Sequence, residues 1–341
     1  MSDWSFFPAT VGLLNSLRLM GHQNPLVILD CGFSLAQRRV LEEHSTLISF
    51  DRTRATNPTL FKPIAPSAQR SGVVVVVDSD VIVTAHLGPI IEKAAGGRIV
   101  AVPDPESDRR FEEWQGLFEL SGIPRRQPYV NAGLVAFSVD HWPDLLPRWS
   151  AACRKIWSHR TIHEYAPDGP TSQADQDALN ALLMTEFPRE ALMLLPAVAA
   201  PLGNAGRKAR VLHLPSLSCT CGGRRTLLVQ STGRPKPWGR RAWAGVGHGA
   251  YVRLLRRCLR GPGVALRPPA KGLAPWLRSG AWGTIRMTAL RMLSWSYSRA
   301  ARVPRVRALL RSLQHVVRRF RGADRPTEGL HEGIDRHGRV G

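Results

Sequence analysis

Five consecutive valines at residues 73–77 are the feature that most constrains how this chain folds. Side chains of a β-strand alternate between the two faces of a sheet, so a strand made only of valine presents no polar face to water. We therefore predict that this strand is fully buried, in a sheet that is covered on both sides. The chain is long enough for that, because 341 residues of which 43% are hydrophobic can bury one large core.

The sequence on either side of the valines predicts that strands and helices alternate. Short apolar runs bounded by turn residues indicate strands, and longer segments with a helical apolar period indicate helices. The predicted strands are residues 26–29, 47–50, 73–77, 99–102, 134–137, 210–213 and 227–229. The predicted helices are residues 11–20, 35–43, 90–95, 111–120, 141–157 and 173–186. This order is typical of an α/β fold with a Rossmann-like, mostly parallel sheet flanked by helices.

One expected element is missing at the amino terminus. An α/β domain of this kind normally opens with a strand, whereas the helix predicted at residues 11–20 begins almost at the first residue. A start further upstream or a truncated chain would account for the missing first strand.

Charge divides the chain into two parts. The formal net charge is +21, but residues 251–341 contain 20 Arg and Lys against 4 Asp and Glu, so residues 1–250 carry only +5. We predict an α/β domain at residues 1–250 and a basic, helical and partly disordered extension at residues 251–341. Because Arg greatly outnumbers Lys, part of this basicity could instead reflect a GC-rich genome.

The extension contains a basic amphipathic stretch. Between residues 306 and 320, apolar residues recur three and four positions apart, and arginines lie beside that stripe. Such a helix could lie on an anionic membrane surface or pack its stripe against the α/β domain. Nucleic acid is the least favoured of the three partners.

Cysteine usage and the lack of targeting patterns predict a cytoplasmic protein. Five cysteines are few and odd in number for this length, which argues against a disulfide framework and for a reducing compartment. Residues 1–7 lack the pattern of a signal peptide, and no apolar run reaches the roughly 18 residues of a spanning helix. Peripheral membrane association would come only from the basic helix. A zinc site at Cys219, Cys221 and His213 is a minor alternative for these cysteines.

Asp78-Ser79-Asp80 follows the valine strand directly and is the strongest local signal of chemistry. Two carboxylates at the end of a buried strand repel each other and are costly to desolvate, and a divalent cation removes both penalties. Carboxylate oxygens suit Mn²⁺ or Mg²⁺, which keep coordination positions open for the oxygens of a diphosphate. A surface loop without a ligand is the alternative interpretation of the same three residues.

Three further motifs accompany the acidic pair: Y-V-N-A-G at 129–133, D-Q-D-A-L-N at 175–180 and G-R-P-K-P-W at 233–238. In order and spacing the four motifs resemble glycosyltransferase family eight, the glycogenin and bacterial galactosyltransferase group, over roughly residues 3–243. The F-K-P run at 61–63, the R-R-Q run at 125–127 and the Trp-rich segments look like an actinobacterial branch of such enzymes. The resemblance implies a GT-A fold. It also implies metal-dependent, retaining transfer of a hexose from UDP-hexose to an acceptor that the sequence does not identify.

The resemblance assigns a role to each matching residue. Asp78 and Asp80 would hold the metal, and Asp175 and Gln176 would reach the sugar hydroxyls and the anomeric carbon. The remaining matches would bind the nucleotide, the diphosphate or the donor sugar, and they are Asp3, Phe6, Lys62, Ser79, Asn131, Ala132, Gly133, Gly233 and Lys236. Phe7 is the alternative to Phe6 as the residue that stacks on the base. Since no carboxylate is placed as a nucleophile, retention implies departure and attack on the same face of the sugar. Gln176 would stabilise the cationic state rather than attack it.

One position departs from the family pattern. Members usually place a third metal ligand, a histidine, three residues before the glycine of the G-R-P-K-P-W motif, where this chain has Gln230. An amide oxygen binds Mn²⁺ more weakly than imidazole does, and His213 could substitute or be a core histidine. The alternative function is therefore a catalytically weakened protein that binds a membrane or nucleic acid through its basic tail. A nucleotidyltransferase would need a Gly-rich phosphate loop near the amino terminus, and the sequence has none.

Overall fold

A computed structural model describes residues 1–50, 58–106, 108–158, 168–202, 206, 208–232, 236–239, 249–269, 273–278 and 280–300. Helices and strands alternate along most of these residues, so the α/β class predicted from the sequence is confirmed.

All the predicted strands are present. Their bounds agree with the prediction within one residue, except that the strand expected at residues 134–137 is longer. The strands of the described residues are β1 Val27–Asp30, β2 Thr46–Ser49, β3 Val73–Val77, β4 Val81–Val83, β5 Ile99–Pro103, β6 Val130–Ser138, β7 Leu192–Leu194, β8 Arg210–His213, β9 Ser218–Cys221, β10 Arg224–Arg225 and β11 Leu228–Gln230.

All six predicted helices are present as well, and two more follow them. The helix expected at residues 111–120 is shortened to a single turn and a half. The helices of the described residues are α1 Phe7–Leu19, α2 Leu35–Glu42, α3 Gly88–Ala95, α4 Trp114–Phe118, α5 Leu145–Ser158, α6 Asp175–Thr185, α7 Gly249–Arg260 and α8 Ala281–Ala300.

The central sheet has four strands in the order β3-β6-β5-β7. β6 runs antiparallel to both of its neighbours, β3 and β5, whereas β5 and β7 are parallel. Elsewhere β1 pairs with β2 in parallel, β4 with β11 antiparallel, and β8, β9 and β10 form an antiparallel sheet. Strand pairing among the described residues is therefore mixed, not mostly parallel as we expected, because one reversed strand occupies the middle of the sheet.

The valine strand has the predicted bounds but not the predicted burial. Val74 and Val76 are each 8% exposed, while the other three valines are only half-buried. Both sets contact apolar residues, one set on the α5 and α6 side and the other on the α3 side. The partial exposure follows from the position of β3 at the edge of its sheet.

A short extended segment precedes α1. Ser2 forms a parallel bridge with Asp30: its N–H donates to the carbonyl of Leu29 at 2.9 Å, and its carbonyl accepts from Cys31 at 2.8 Å. The strand that the sequence analysis found missing thus has a one-residue counterpart beside β1.

Residues beyond 250 complete the core of the α/β domain. The apolar residues of α7, including Val252, Leu255 and Leu259, are buried in the same cluster as those of α1. The chain divides into two compact units, Met1–Ser294 and Trp295–Gly341. The boundary predicted at residue 250 is therefore too early, because α7 and the residues after it pack on the domain.

The predicted basic stretch at residues 306–320 lies outside the described residues. Within the described part of the chain, no helix is both long enough and apolar enough to cross a membrane. All five cysteines lie among the described residues, where they are buried and form no disulfide.

Candidate functional site

The acidic pair lies in the turn between β3 and β4. The N–H of Asp78 donates to the carbonyl of Gly133 in β6 at 3.0 Å. The carbonyl of Asp80 accepts from the N–H of Ser231, the residue after β11, at 3.1 Å. Two neighbouring strands thus fix the backbone on either side of Ser79, which lies half-buried between the acids.

Gln230 joins the two carboxylates. Its Nε2 donates to Asp78 Oδ2 and to Asp80 Oδ1, each at 3.0 Å. Gly133 lies against the same groups, because a Cβ at this position would be 2.9 Å from Asp78 Oδ2 and 3.1 Å from Gln230 Oε1. Four residues predicted from the sequence therefore meet at one point, and a glycine is needed to let them meet.

Lys62 connects the acidic pair to a third carboxylate. Its Nζ lies 2.8 Å from both Asp78 Oδ1 and Asp175 Oδ2, and it donates to the carbonyl of Ala132 at 3.2 Å. Burial alone would lower the pKa of Lys62, but the carboxylates of Asp175 and Asp78 outweigh burial and raise that pKa above its usual value. Lys62 is therefore charged and holds Asp175 beside the acidic pair.

Lys236 pairs with the second acid. Its Nζ lies 2.6 Å from Asp80 Oδ2 and donates to the carbonyl of Ser231 at 2.6 Å. The same ammonium lies 5.5 Å from the ring centroid of Phe6 and 5.7 Å from that of Trp238. Burial raises the pKa of Asp80, while the charge of Lys236 opposes this shift. Positive charge near Asp80 thus favours its ionised form.

The amino-terminal turn forms an aromatic wall beside Lys236. The rings of Phe6 and Trp238 are 5.2 Å apart in an edge-on arrangement, and Trp238 Nε1 donates to the carbonyl of Ser5 at 2.8 Å. Asp3 Oδ1 accepts from Ser5 N at 2.8 Å, from Ser5 Oγ at 2.6 Å and from Phe6 N at 3.3 Å. Asp3 therefore holds the turn that leads into α1, a structural role that the sequence analysis did not assign.

An amide network lies on the other side of Gly133. Gln176 Oε1 accepts from Asn131 Nδ2 and from the backbone N–H of Ala132, both at 3.0 Å. Asp104 Oδ2 accepts from Asn131 Nδ2 at 2.9 Å and from Gln176 Nε2 at 3.2 Å. The two predicted motifs at residues 129–133 and 175–180 thus form one hydrogen-bonded unit. Sequence reasoning missed Asp104, although its place just after the predicted strand at 99–102 was a usable signal.

Asp175 is 4% exposed at the first position of α6. Ala174, directly before it, has a φ of 49°, which is a strained value for a residue with a Cβ. Burial raises the pKa of Asp175, and the charge of Lys62 opposes that shift. Trp149 Nε1 donates to the carbonyl of Asp175 at 2.8 Å, so the helix start is held from the core side too.

Asp177 belongs to the same motif but supports the fold. It is fully buried, with Arg109 Nε 2.7 Å from its Oδ1, and it accepts from Tyr129 OH at 2.7 Å. Burial raises the pKa of Tyr129, and the neighbouring Asp177 raises it further. This pair anchors the strand and the helix that carry Asn131 and Gln176. Nothing in the sequence around Arg109 indicated its partner.

His213 stands apart from this group. His213 is exposed at the end of β8, where its Nδ1 is 2.8 Å from Ser216 Oγ. It does not join the acids, because among the described residues no three or more His, Cys, Asp or Glu side chains are grouped to hold a metal. The same holds for the proposed zinc ligands Cys219 and Cys221. Gly233 lies outside the described residues.

The donor set at the acidic pair fits a hard divalent cation. Asp78 Oδ2 and Asp80 Oδ1 are both within 3.0 Å of the Gln230 amide, whose oxygen replaces its nitrogen on rotation of the amide group. Oxygen ligands of this kind suit Mg²⁺ or Mn²⁺. The charge of the site also favours a cation, because the contacts among the described residues join four carboxylates with only two ammonium groups, those of Lys62 and Lys236. The carboxylates are those of Asp78, Asp80, Asp104 and Asp175.

Comparison with known proteins gives structural neighbours only. No family model matches the sequence, and no curated protein is significantly similar to it. The galactosyltransferase LgtC, solved with donor and acceptor sugar analogues, is 17% identical over 74% of this chain and 93% of its own, with a TM-score of 0.49. The bifunctional glycosyltransferase WbbM is 16% identical over 74% of this chain and 48% of its own, with a TM-score of 0.47. The glycosyltransferase GlyE of Streptococcus pneumoniae TIGR4 is 16% identical over 74% of this chain and 58% of its own, with a TM-score of 0.46.

Proposed function

We propose that the chain is a GT-A glycosyltransferase that moves a hexose from UDP-hexose to a lipid, glycan or small-molecule acceptor, with Mn²⁺ or Mg²⁺ as cofactor. One observation carries the proposal. Asp78 and Asp80 converge on the amide of Gln230 at 3.0 Å, with a lysine on each side of the pair. Such a cluster of acids and ammonium groups suits a cation together with a diphosphate.

The acidic pair and the Gln230 amide oxygen would hold the cation. When bound, the ion stabilises the negative charge that develops on the departing diphosphate. Lys236 would bind the same diphosphate, because its ammonium already lies between Asp80 and two aromatic rings. Lys236 would thus add its positive charge to that of the cation beside the departing diphosphate.

The donor would extend from the aromatic wall to the amide network. Phe6 is the stacking candidate for the base, and the Asp3 turn sets its position. On the other side, Asn131 and the backbone of Ala132 and Gly133 would lie along the sugar. Lys62 would orient both Asp78 and Asp175, because its ammonium contacts both carboxylates.

Retention of the anomeric configuration fits the contacts of Asp175 and Gln176, the two residues expected near the reacting carbon. Asp175 is buried and paired with Lys62 at 2.8 Å, which leaves it poorly available as a nucleophile. Gln176 carries no charge, and its Oε1 is oriented by two N–H donors. Same-face departure and attack, with Gln176 stabilising an oxocarbenium-like state, therefore suits this chain. An inverted product detected by NMR would contradict it.

The proposal is tested by a screen of nucleotide sugars for metal-dependent hydrolysis, which needs no acceptor. Wild-type protein should hydrolyse UDP-hexose with Mn²⁺ and not with EDTA, and Asp78→Asn or Asp80→Asn should abolish turnover without loss of the cooperative unfolding transition. Asp144→Asn, which changes an exposed acid at the start of α5, is the matched control and should keep the wild-type rate. Wild-type rates in the Asp78 and Asp80 variants would remove the metal from the mechanism.

One observation favours the alternative of a catalytically weakened binding protein. As the amide is placed, Gln230 donates to both acids and thereby supplies the contact that a metal would otherwise make. Thermal shift separates the two functions, because a ligand that binds only the folded state raises Tm. Stabilisation that requires both UDP and Mn²⁺ supports the transferase. No stabilisation, with tail-dependent binding to anionic vesicles or RNA, supports the alternative.

A further inference from the structure

A cavity of about 350 Å³ lies between α7, the turn after β8 and the start of α8. Four arginines of α7 line it, together with Leu214, Gly280 and Met287; the arginines are Arg253, Arg256, Arg257 and Arg260. No acidic side chain of the described residues lines this cavity, and the sequence contains no Asp or Glu from residue 191 to residue 323. Its volume is at the lower end of the roughly 300–1,000 Å³ that small-molecule sites occupy.

Two of these arginines have buried N–H groups without an acceptor. Arg257 Nε and Nη1, and Arg260 Nε and Nη2, are shielded from solvent and have no hydrogen-bond partner among the described residues. The chain satisfies only part of the cluster: Arg257 Nη2 donates to the carbonyl of Pro215 at 3.1 Å, and Arg256 Nη2 to Thr284 Oγ1 at 2.9 Å. Burying a donor of this kind without a partner is costly. Arg257 and Arg260 therefore lack acceptors, which a ligand in the cavity supplies once their side chains turn toward it.

Among the described residues, no acidic side chain at the cavity offsets the charge of Arg257 and Arg260. Burial lowers the pKa of Arg260, and the positive charge of Arg267 lowers it further. The carbonyl end of α7 attracts cations in its last turn, which accounts for basic residues at this place. It does not account for four arginines that line one cavity, two of which have buried N–H groups without an acceptor. An anion with several oxygens would satisfy both the charge and the geometry.

We propose that this arginine cavity binds a phosphoryl group. Phosphate oxygens match the planar fork of a guanidinium and are numerous enough to serve Arg257 and Arg260 together. The phosphoryl group would belong either to a soluble phosphate or to the headgroup of a phospholipid, and both present the same chemistry to the cavity. The site is formed by residues different from those at Asp78 and Lys236, so it stands whether or not the chain transfers sugar.

The first test is binding of inorganic phosphate to the full chain by titration calorimetry, in EDTA and at low salt. Arg257→Gln/Arg260→Gln should weaken binding by about tenfold or more, because charge-assisted hydrogen bonds are lost. Arg224→Gln/Arg225→Gln, which removes two exposed arginines of β10, is the control for net charge and should bind as wild type does. Lys236→Ala should also retain binding. Any part of the binding that this variant loses belongs to phosphate held at the proposed donor site and not to the arginine cavity.

A second measurement uses only wild-type protein, so it does not depend on the variants folding. Phosphate should shift the side-chain Nε–H resonances of Arg257 and Arg260 in NMR spectra, because these N–H groups gain an acceptor, and leave those of Arg224 and Arg225 unchanged. Flotation with vesicles of phosphatidylcholine with and without phosphatidic acid then separates the sources. Vesicle binding that depends on Arg257 and Arg260 assigns a lipid headgroup, and phosphate binding alone assigns a soluble ligand. Equal phosphate binding by both double variants, without a shift of the Arg257 and Arg260 resonances, would overturn the proposal.

Discussion

Gln230 determines how strongly the proposed metal site can bind. Its side chain is the third group at the acidic pair, and its Nε2 is 3.0 Å from both Asp78 and Asp80. A neutral amide contributes one weak oxygen ligand, whereas an imidazole contributes a nitrogen that Mn²⁺ binds more strongly. The residue that departs from the pattern of the resembled family is thus also the residue best placed to set the affinity of the proposed metal site.

Replacement of Gln230 by histidine should therefore strengthen metal binding. We expect Gln230→His to lower the Mn²⁺ concentration needed for half-maximal stabilisation by UDP, with little change in Tm when EDTA is present. Thermal shift across a Mn²⁺ titration measures this directly, and Gln173→His, a change of the same type before α6, is the control. Equal Mn²⁺ dependence in Gln230→His and wild type would show that this side chain is not a ligand.

The acids of the site were predictable because they obey a local rule. Asp78 and Asp80 follow a recognisable strand, and the carboxyl end of a buried strand is a common place for polar functional groups. Asp104 follows β5 in the same way and was missed only because no motif drew attention to it. The contact between Arg109 and Asp177 had no such signal, since the two residues are 68 positions apart and meet only after folding.

Elements were predictable where their signal is local, and their pairing was not. The valine strand has its predicted bounds. Its position at the sheet edge, however, depends on its antiparallel pairing with β6, which comes from residues 130–138. Hydrogen-bonded partners of that kind are set by long-range packing. The short strands β4 and β7 have three residues each, too few to show a period.

α7 shows a signal that was present and not used. Its buried positions recur at helical spacing, at residues 251, 252, 254, 255, 258 and 259. The arginines between these positions make the segment basic, and for that reason it was predicted to belong to a basic extension. The same arginines line the arginine cavity, so the apolar positions and the charged positions of α7 lie on two faces of one helix.

His22, which joins the end of α1 to the start of α3, should make the stability of the fold depend on pH. His22, 5% exposed after α1, accepts a hydrogen bond through Nε2 from the N–H of Leu87 at 3.0 Å. Its ring stacks on that of His86 with centroids 4.2 Å apart. Burial lowers the pKa of His22, and the neighbouring His86 and Arg18 lower it further, against a smaller opposing effect of Asn24. Folding therefore favours the neutral imidazole.

The sign of the effect follows from proton uptake. Below the usual histidine pKa of about 6.5, the unfolded chain binds a proton that folded His22 resists, so the free energy of unfolding falls as pH falls. Denaturant unfolding at pH 7 and pH 5.5 should show a smaller loss for His22→Gln, which keeps an acceptor for Leu87, than for wild type. Between pH 8 and pH 7 the two proteins should change alike. The same acid loss in both would exclude His22 as the cause.

At the scale of the whole molecule, the core extends further along the chain than charge indicated. Asn15 of α1 donates to the carbonyls of Cys258 and Leu266, each at 2.8 Å, and accepts from the N–H of Leu266 at 3.0 Å. Leu273 and Leu277 are 1% and 0% exposed in the same cluster as α1. Composition could not reveal this, because glycine, proline and arginine are frequent there while the few leucines complete the core.

Two truncations should therefore behave differently. Removal of residues after Gly261 exposes the apolar surface under Leu266, Leu273 and Leu277, each worth roughly 1.5–3 kcal/mol, and removes both hydrogen bonds between Asn15 and Leu266. Such a loss is large against a typical stability of about 5–15 kcal/mol, so that protein should fail to fold or unfold at a much lower Tm.

A chain ending at residue 300 should keep the wild-type Tm, since it retains the whole of the compact unit Met1–Ser294. This second truncation is the proper test of the basic stretch at residues 306–320. If that stretch binds an anionic membrane surface, its removal should abolish flotation with phosphatidylglycerol vesicles, because each Lys or Arg near such a surface contributes about 1 kcal/mol. Retained flotation would locate membrane binding in the first unit, where the α7 arginines are the next residues to vary.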